Sequence, residues 1–227
     1  MIRRGVSSRP SLESIALTVL CAIFITPVLW IKCGVSEVMD IASLLVKLML
    51  YVLLPLWSVA GFADWMCHRH TRIETTSGLK ESLMHSAMGI QVGIPIVLCL
   101  LFEINVLVLL ICFAAWVLHE LVAHWDVHYT SDMRHISIWE MHAHNYLATL
   151  PMFMILGLLV LKWEVFLQLL SFEWQGHLTL SRETDLPGGA FYFHFYVVML
   201  LLLGVVPYLE ENLRCLTELR RRRRVKQ

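Results

Sequence analysis

Between residues 64 and 144 a carboxylate stands four residues before a histidine four times: Asp64/His68, Glu81/His85, Glu120/His124 and Glu140/His144. Residues i and i+4 of an α-helix lie on one face, a turn apart. Each pair therefore offers an oxygen and an imidazole side by side, the ligand mix that suits iron, manganese or zinc. Four such pairs make the kind of inner shell with which helical bundles hold two metal ions. The first-choice ligands are Asp64, His68, Glu81, His85, Glu120, His124, His128, Glu140 and His144. His70, His119, His135 and His142 are second-choice ligands, or partners lying behind the ligands. Glu120, His124 and His128 follow at steps of four, drifting about 40° per step around a helix; that spacing reaches across two neighbouring ions. His135 and His142 sit on a face nearly opposite to Glu140 and His144, unless the helix starts only after His135.

The elements that must carry these residues are membrane-crossing helices. Of the 227 residues 58% are hydrophobic, and the mean hydropathy is +0.67, too apolar for an ordinary soluble domain. Basic and acidic residues balance at 18 each, which gives no reason to expect a nucleic-acid partner. Six scattered cysteines with no CxxC pair read as small hydrophobes, not as a disulfide framework. Apolar runs predict six spans, at about 12–31, 41–62, 87–102, 105–120, 147–161 and 191–209. The first is read as a retained span and not a signal peptide, because it is long enough to cross and no small-x-small cleavage site follows it. The apolar stretch 90–118 is too long for one crossing, and Phe102-Glu103-Ile104-Asn105 divides it into a hairpin. Pro187-Gly188-Gly189 marks the break before the last span.

Six spans leave both termini on one side. Arg3, Arg4 and Arg9 at one end and Arg220 to Arg224 with Lys226 at the other then agree that this side is cytoplasmic. The expectation is one integral, all-α membrane domain over residues 1–227, in the inner or plasma membrane if the source is bacterial. Its metal segments, 64–85 and 119–144, fall at the cytoplasmic ends of helices 2–5. Nine of the eleven histidines lie there, and His177 and His194 lie on the opposite side. Trp65, Trp116, Trp125 and Trp139 read as an interfacial belt. Arg69 and Arg72 read as determinants of topology, and Arg134 as open to a lipid head group or a redox partner. Ionisable side chains so close to a bilayer are costly unless paired or ligated, and a metal would satisfy acids and imidazoles together.

The layout His68/His70, His85, His119/His124/His128 and His135/His142/His144 resembles the membrane-bound histidine-rich non-haem di-iron enzymes of the fatty acid desaturase and fatty acid hydroxylase type. The likeness covers about a third of the chain and lies in the layout. The paired HxxHH boxes of that group are replaced here by HRH, HELVAHWDVH and HAH, and the carboxylates stand at ExxxH spacing instead of the ExxH of carboxylate-bridged di-iron proteins. The resemblance implies two iron ions, with zinc or manganese as alternatives, and dioxygen-dependent hydroxylation or desaturation of a lipid-like substrate. A separate ferredoxin- or cytochrome-type electron donor would be needed. Competing readings are a zinc-dependent membrane hydrolase, a metal or ion transporter, which would want charges at mid-membrane, and a b-haem carrier, which needs facing histidines within the spans.

Overall fold

The computed structural model describes residues 40–175, 177–225 and 227. The expected span at 12–31 lies outside them. Among the described residues five helices are long and apolar enough to cross a membrane: α1 (Ile41–Thr71), α2 (Leu79–Leu101), α3 (Val106–Ser131), α4 (Ile138–Leu161) and α6 (Gly189–Val225). The short α5 (Trp163–Leu170) lies between the last two. Length and composition mark an all-α integral membrane protein. The five correspond in order to the second through sixth predicted spans. Each is longer than its apolar run because the helix continues into polar sequence, histidine-bearing in the first four and arginine-rich in α6.

Local chemistry explains where the helices start and bend. Asn105 caps α3 by accepting the Val108 N–H at 3.1 Å, so the polar Phe102–Asn105 break becomes a hairpin turn. Ser137 caps α4 by accepting the Glu140 N–H at 3.2 Å, which fixes the start of that helix after His135. Arg72 ends α1 in the left-handed region, φ 54°. Gly78, Gly188 and Gly189 all have positive φ, the conformation glycine adopts at least cost. The two longest helices each contain a π-turn, Met49–Leu53 in α1 and Leu201–Val205 in α6. Each turn ends two residues before a proline, Pro55 and Pro207. A proline ring clashes with the carbonyl four residues back and leaves it without its bond; the wider turn takes up that misfit.

The helices alternate in direction, with α2 against α3, α1 against α4, and α6 against α1 and α2. At one end lies an apolar core of Val108, Leu109, Cys112 and Leu158. The chain between α5 and α6 folds over that end: Glu103 N–H donates to the Ser181 carbonyl at 2.9 Å and Leu107 N–H to the His177 carbonyl at 3.2 Å. Phe102 and Arg182 form an isolated antiparallel bridge there. At the other end are the α1–α2 and α3–α4 connections and the C-terminal half of α6, whose Arg222 donates to the Thr75 carbonyl at 2.8 Å. The arginine run and the polar cluster thus share one end. Large apolar side chains such as Ile90, Leu121, Phe153, Val160 and Leu202 are exposed along the helices, as a lipid-facing surface requires.

Candidate metal centre

The buried polar residues gather at that second end. Asp64 and His68 come from the last turns of α1, Glu81 and His85 from the first turns of α2, Asp126 from α3, Glu140 and His144 from the start of α4, and Glu211 from α6. All but His144 are 3% exposed or less; the His144 side chain is 18% exposed. Burying one carboxylate is costly and burying five is prohibitive without compensating cations. Arg134 is the cation in place. It donates to Glu81 at 2.5 Å and to Glu140 at 2.9 Å, and its side chain is 4% exposed. Burial alone would lower its pKa, but hydrogen bonds and charge from Glu140 and Glu81 more than reverse this and hold it charged. Five carboxylates against one guanidinium leave a formal excess of four negative charges if His68, His85 and His144 are neutral, and of one if all three are protonated.

Several of these groups have atoms without a hydrogen-bond partner. Both Asp64 carboxylate oxygens, Nε2 of His68, Nε2 of His144 and one Asp126 oxygen are buried and unbonded. His144 Nε2 lies 3.0 Å from Asp64 Oδ1, and His68 Nε2 lies 3.5 Å from Asp64 Oδ2 and 3.4 Å from Glu140 Oε1. These contacts are ion pairs if the imidazoles carry both protons, and leave lone pairs facing one another if they are neutral. Asp64, His68, His85 and His144 each bring one ligand atom within 4.8 Å of the others. Ligands on opposite sides of one ion stand about 4.2 Å apart, given metal–nitrogen and metal–oxygen bonds of about 2.0–2.2 Å. Drawing these atoms inward would close the set on an ion. His68, Glu81 and Glu140 form a second grouping and Glu81, His85 and Asp126 a third, by the same measure. Donor set and orphaned atoms both fit a cation.

The groups behind the ligands are ordered too. Glu211 accepts from Nδ1 of His68 at 3.0 Å and from Nδ1 of His85 at 3.3 Å. One carboxylate thus anchors both rings at Nδ1, as carboxylates behind metal-bound histidines do, and leaves Nε2 of His68 without a hydrogen-bond partner. His85 Nε2 faces Asp126 at 3.2 Å. Ser77 gives its hydroxyl to Glu81. Asn212, one residue after Glu211, ties α6 to α2 by accepting from Ser82 at 3.1 Å and donating to Ser86 at 2.6 Å.

A cavity of about 760 Å³ lies against the cluster. Asp64, His85, Asp126 and His144 form its polar end, and Trp57, Ile94, Val97 and Leu147 are among its apolar walls. Along α2 the residues at steps of four from His85 are Gly89, Gly93 and Val97, all lining the cavity. A Cβ added at Gly89 or Gly93 would meet nothing within 4 Å. The two glycines therefore leave an open channel along α2, running away from His85.

Six of the nine first-choice ligands, Asp64, His68, Glu81, His85, Glu140 and His144, meet in this cluster. Glu120, His124 and His128 do not. Asp126, not His124, is the α3 residue that points inward, and two residues along a helix are about 200° apart. Glu120 and His124 line the cavity wall instead, and His128 is exposed. Among the second choices, His70, His135 and His142 are exposed. His119 is buried, lines the cavity and has an unbonded Nδ1. Arg134 is buried on two glutamates and is not available to a head group or a redox partner, which corrects the expectation for it. Asp126 and Glu211 were not anticipated. Asp126 shares a helical face with His119 seven residues earlier, a periodicity that the step-of-four pattern masks. Glu211 belongs to an acidic pair just beyond the last apolar run, at the end where the other ligands gather.

No family model, curated protein or solved structure matches this chain.

Proposed function

We propose that the protein is a membrane-embedded two-metal oxidoreductase of the iron type that hydroxylates or desaturates a lipid-like substrate. The observation that carries this is the juxtaposition of a buried cluster of imidazoles and carboxylates with an apolar cavity among membrane-crossing helices. The ions, when bound, would supply dioxygen activation and electron transfer, chemistry no side chain provides. The residues supply the rest. Asp64, His68, His85 and His144 hold cations. Glu211 orients two of the imidazoles. Gly89, Gly93 and Val97 leave room for a slender apolar chain whose far end reaches His85. The apolar walls keep water from the reacting carbon.

The overall reaction balances with one dioxygen, two protons and two electrons per substrate. Hydroxylation inserts one oxygen atom into a C–H bond and releases one water; desaturation removes two hydrogens and releases two waters. The two electrons come from a separate ferredoxin- or cytochrome-type donor. Basic residues at the end of α6 favour a cytoplasmic position for the cluster end, where such a donor is found.

Elemental analysis of the detergent-purified chain beside Asp64→Asn and His144→Ala tests this first. The expected result is about two irons per chain, lost in the variants, with oxygen uptake on adding reductant and a long-chain lipid. Stoichiometric zinc without oxygen uptake would move the assignment to a membrane hydrolase. No metal after reconstitution with ferrous iron or zinc would end the proposal.

A further inference from the structure

The groups able to hold an ion are not equally free. Asp64, His68 Nε2 and His144 Nε2 have no aligned hydrogen bond, and Nε2 of His85 faces a single carboxylate oxygen, of Asp126, at 3.2 Å. Glu81 and Glu140 are in the opposite condition. Arg134 reaches Oε1 of Glu81 at 2.5 Å and Oε2 at 3.4 Å, and both oxygens of Glu140. All four oxygens of this pair thus face one guanidinium, in the forked geometry that makes arginine–carboxylate contacts strong. Arg134 belongs to the connection between α3 and α4 and not to a helix, so its side chain can turn away without unwinding a spanning segment.

Resting on the metal binding proposed above, we infer that the centre fills in order. The first ion binds at Asp64, His68, His85 and His144, and the second binds at Glu81 and Glu140 as Arg134 turns out from between them. Arg134 is the chain's own placeholder cation, making five carboxylates tolerable before the centre is complete. With the first divalent ion bound and Arg134 in place, the cluster retains a formal charge of −2. Exchanging the guanidinium for a second divalent ion brings it to −1, so the exchange is electrostatically favourable. It is opposed by the loss of a buried fork, which makes the second ion weaker than the first.

The test is a zinc titration of the metal-free, full-length protein in detergent, in competition with a chromogenic chelator, for wild type and Arg134→Gln. In wild type the second ion should bind at least about tenfold more weakly than the first. In Arg134→Gln the second should tighten by about tenfold or more while the first changes by less than about threefold. Zinc X-ray absorption of wild type at one equivalent provides a readout that needs no variant; it should show an imidazole-rich shell. Equal affinities in wild type, an unchanged second affinity in Arg134→Gln, or a carboxylate-dominated shell at one equivalent would each overturn the order while leaving the metal centre standing. A wild-type protein that takes no zinc would overturn both.

Discussion

His68 and His85 lie ring on ring, their centroids 4.4 Å apart and their planes 8° from parallel. They come from different helices, and Glu211 of a third accepts Nδ1 of both. The two rings share one anchor and turn their other nitrogens to different carboxylates, Nε2 of His68 to Asp64 and Glu140 and Nε2 of His85 to Asp126. The remote carboxylate thus sets the orientation of both imidazoles at once.

Glu211→Gln follows directly from that relationship. An amide offers one accepting oxygen where the carboxylate offers two, so one imidazole loses its anchor and the negative charge behind both is removed. Metal affinity should fall by about 10- to 100-fold, read by chelator competition, with helix content by circular dichroism unchanged. An unaltered affinity would remove Glu211 from the centre.

Metal should set the thermal stability of the whole bundle. A ligand that binds the folded chain alone stabilises it by about 2.7 kcal/mol at 100 times its dissociation constant. Chelation should therefore lower the unfolding temperature in detergent, and added metal should restore it.

The same assay gives Asp64→Asn a double signature. In the metal-free protein the substitution removes only the carboxylate charge that His68 and His144 face at 3.5 and 3.0 Å, so the unfolding temperature should fall slightly. With metal present the stabilisation should be lost. If Asp64→Asn lowers both states equally, Asp64 serves packing and not ligation.

Filling the channel should separate binding from ligation. Gly93→Leu places its side chain where an added Cβ meets nothing within 4 Å, so the fold and the metal content should persist. Long-chain substrates should then be excluded or bound shallowly, while short ones are spared. Quenching of Trp57, another lining residue, by brominated alkyl chains of graded length would report this without turnover, with Trp57→Phe as the background.

Asn105→Ala serves as the distant control. Losing the α3 cap should cost about 1 kcal/mol in unfolding experiments. It lies at the end of the bundle away from the cluster, so metal affinity should not change.

Much of this organisation is legible along the chain because it depends on local periodicity. Apolar run lengths predicted the five described spans, and the polar Phe102–Asn105 step predicted their hairpin, since a backbone crossing lipid has to be helical and its length is set by the bilayer. The i,i+4 pairs Asp64/His68, Glu81/His85 and Glu140/His144 were legible for the same reason: each is positioned by a single helix. What the sequence alone left open was rotation. Whether α3 shows His124 or Asp126 to its neighbours depends on how it packs against α2, and two residues' difference turns the helix nearly half-way round. The same holds for partners from separate helices: Glu211 reaches His68 across 143 residues and Arg134 reaches Glu81 across 53. Local spacing carries no information about such contacts; only the packed bundle decides which charges share a buried space and must be balanced together.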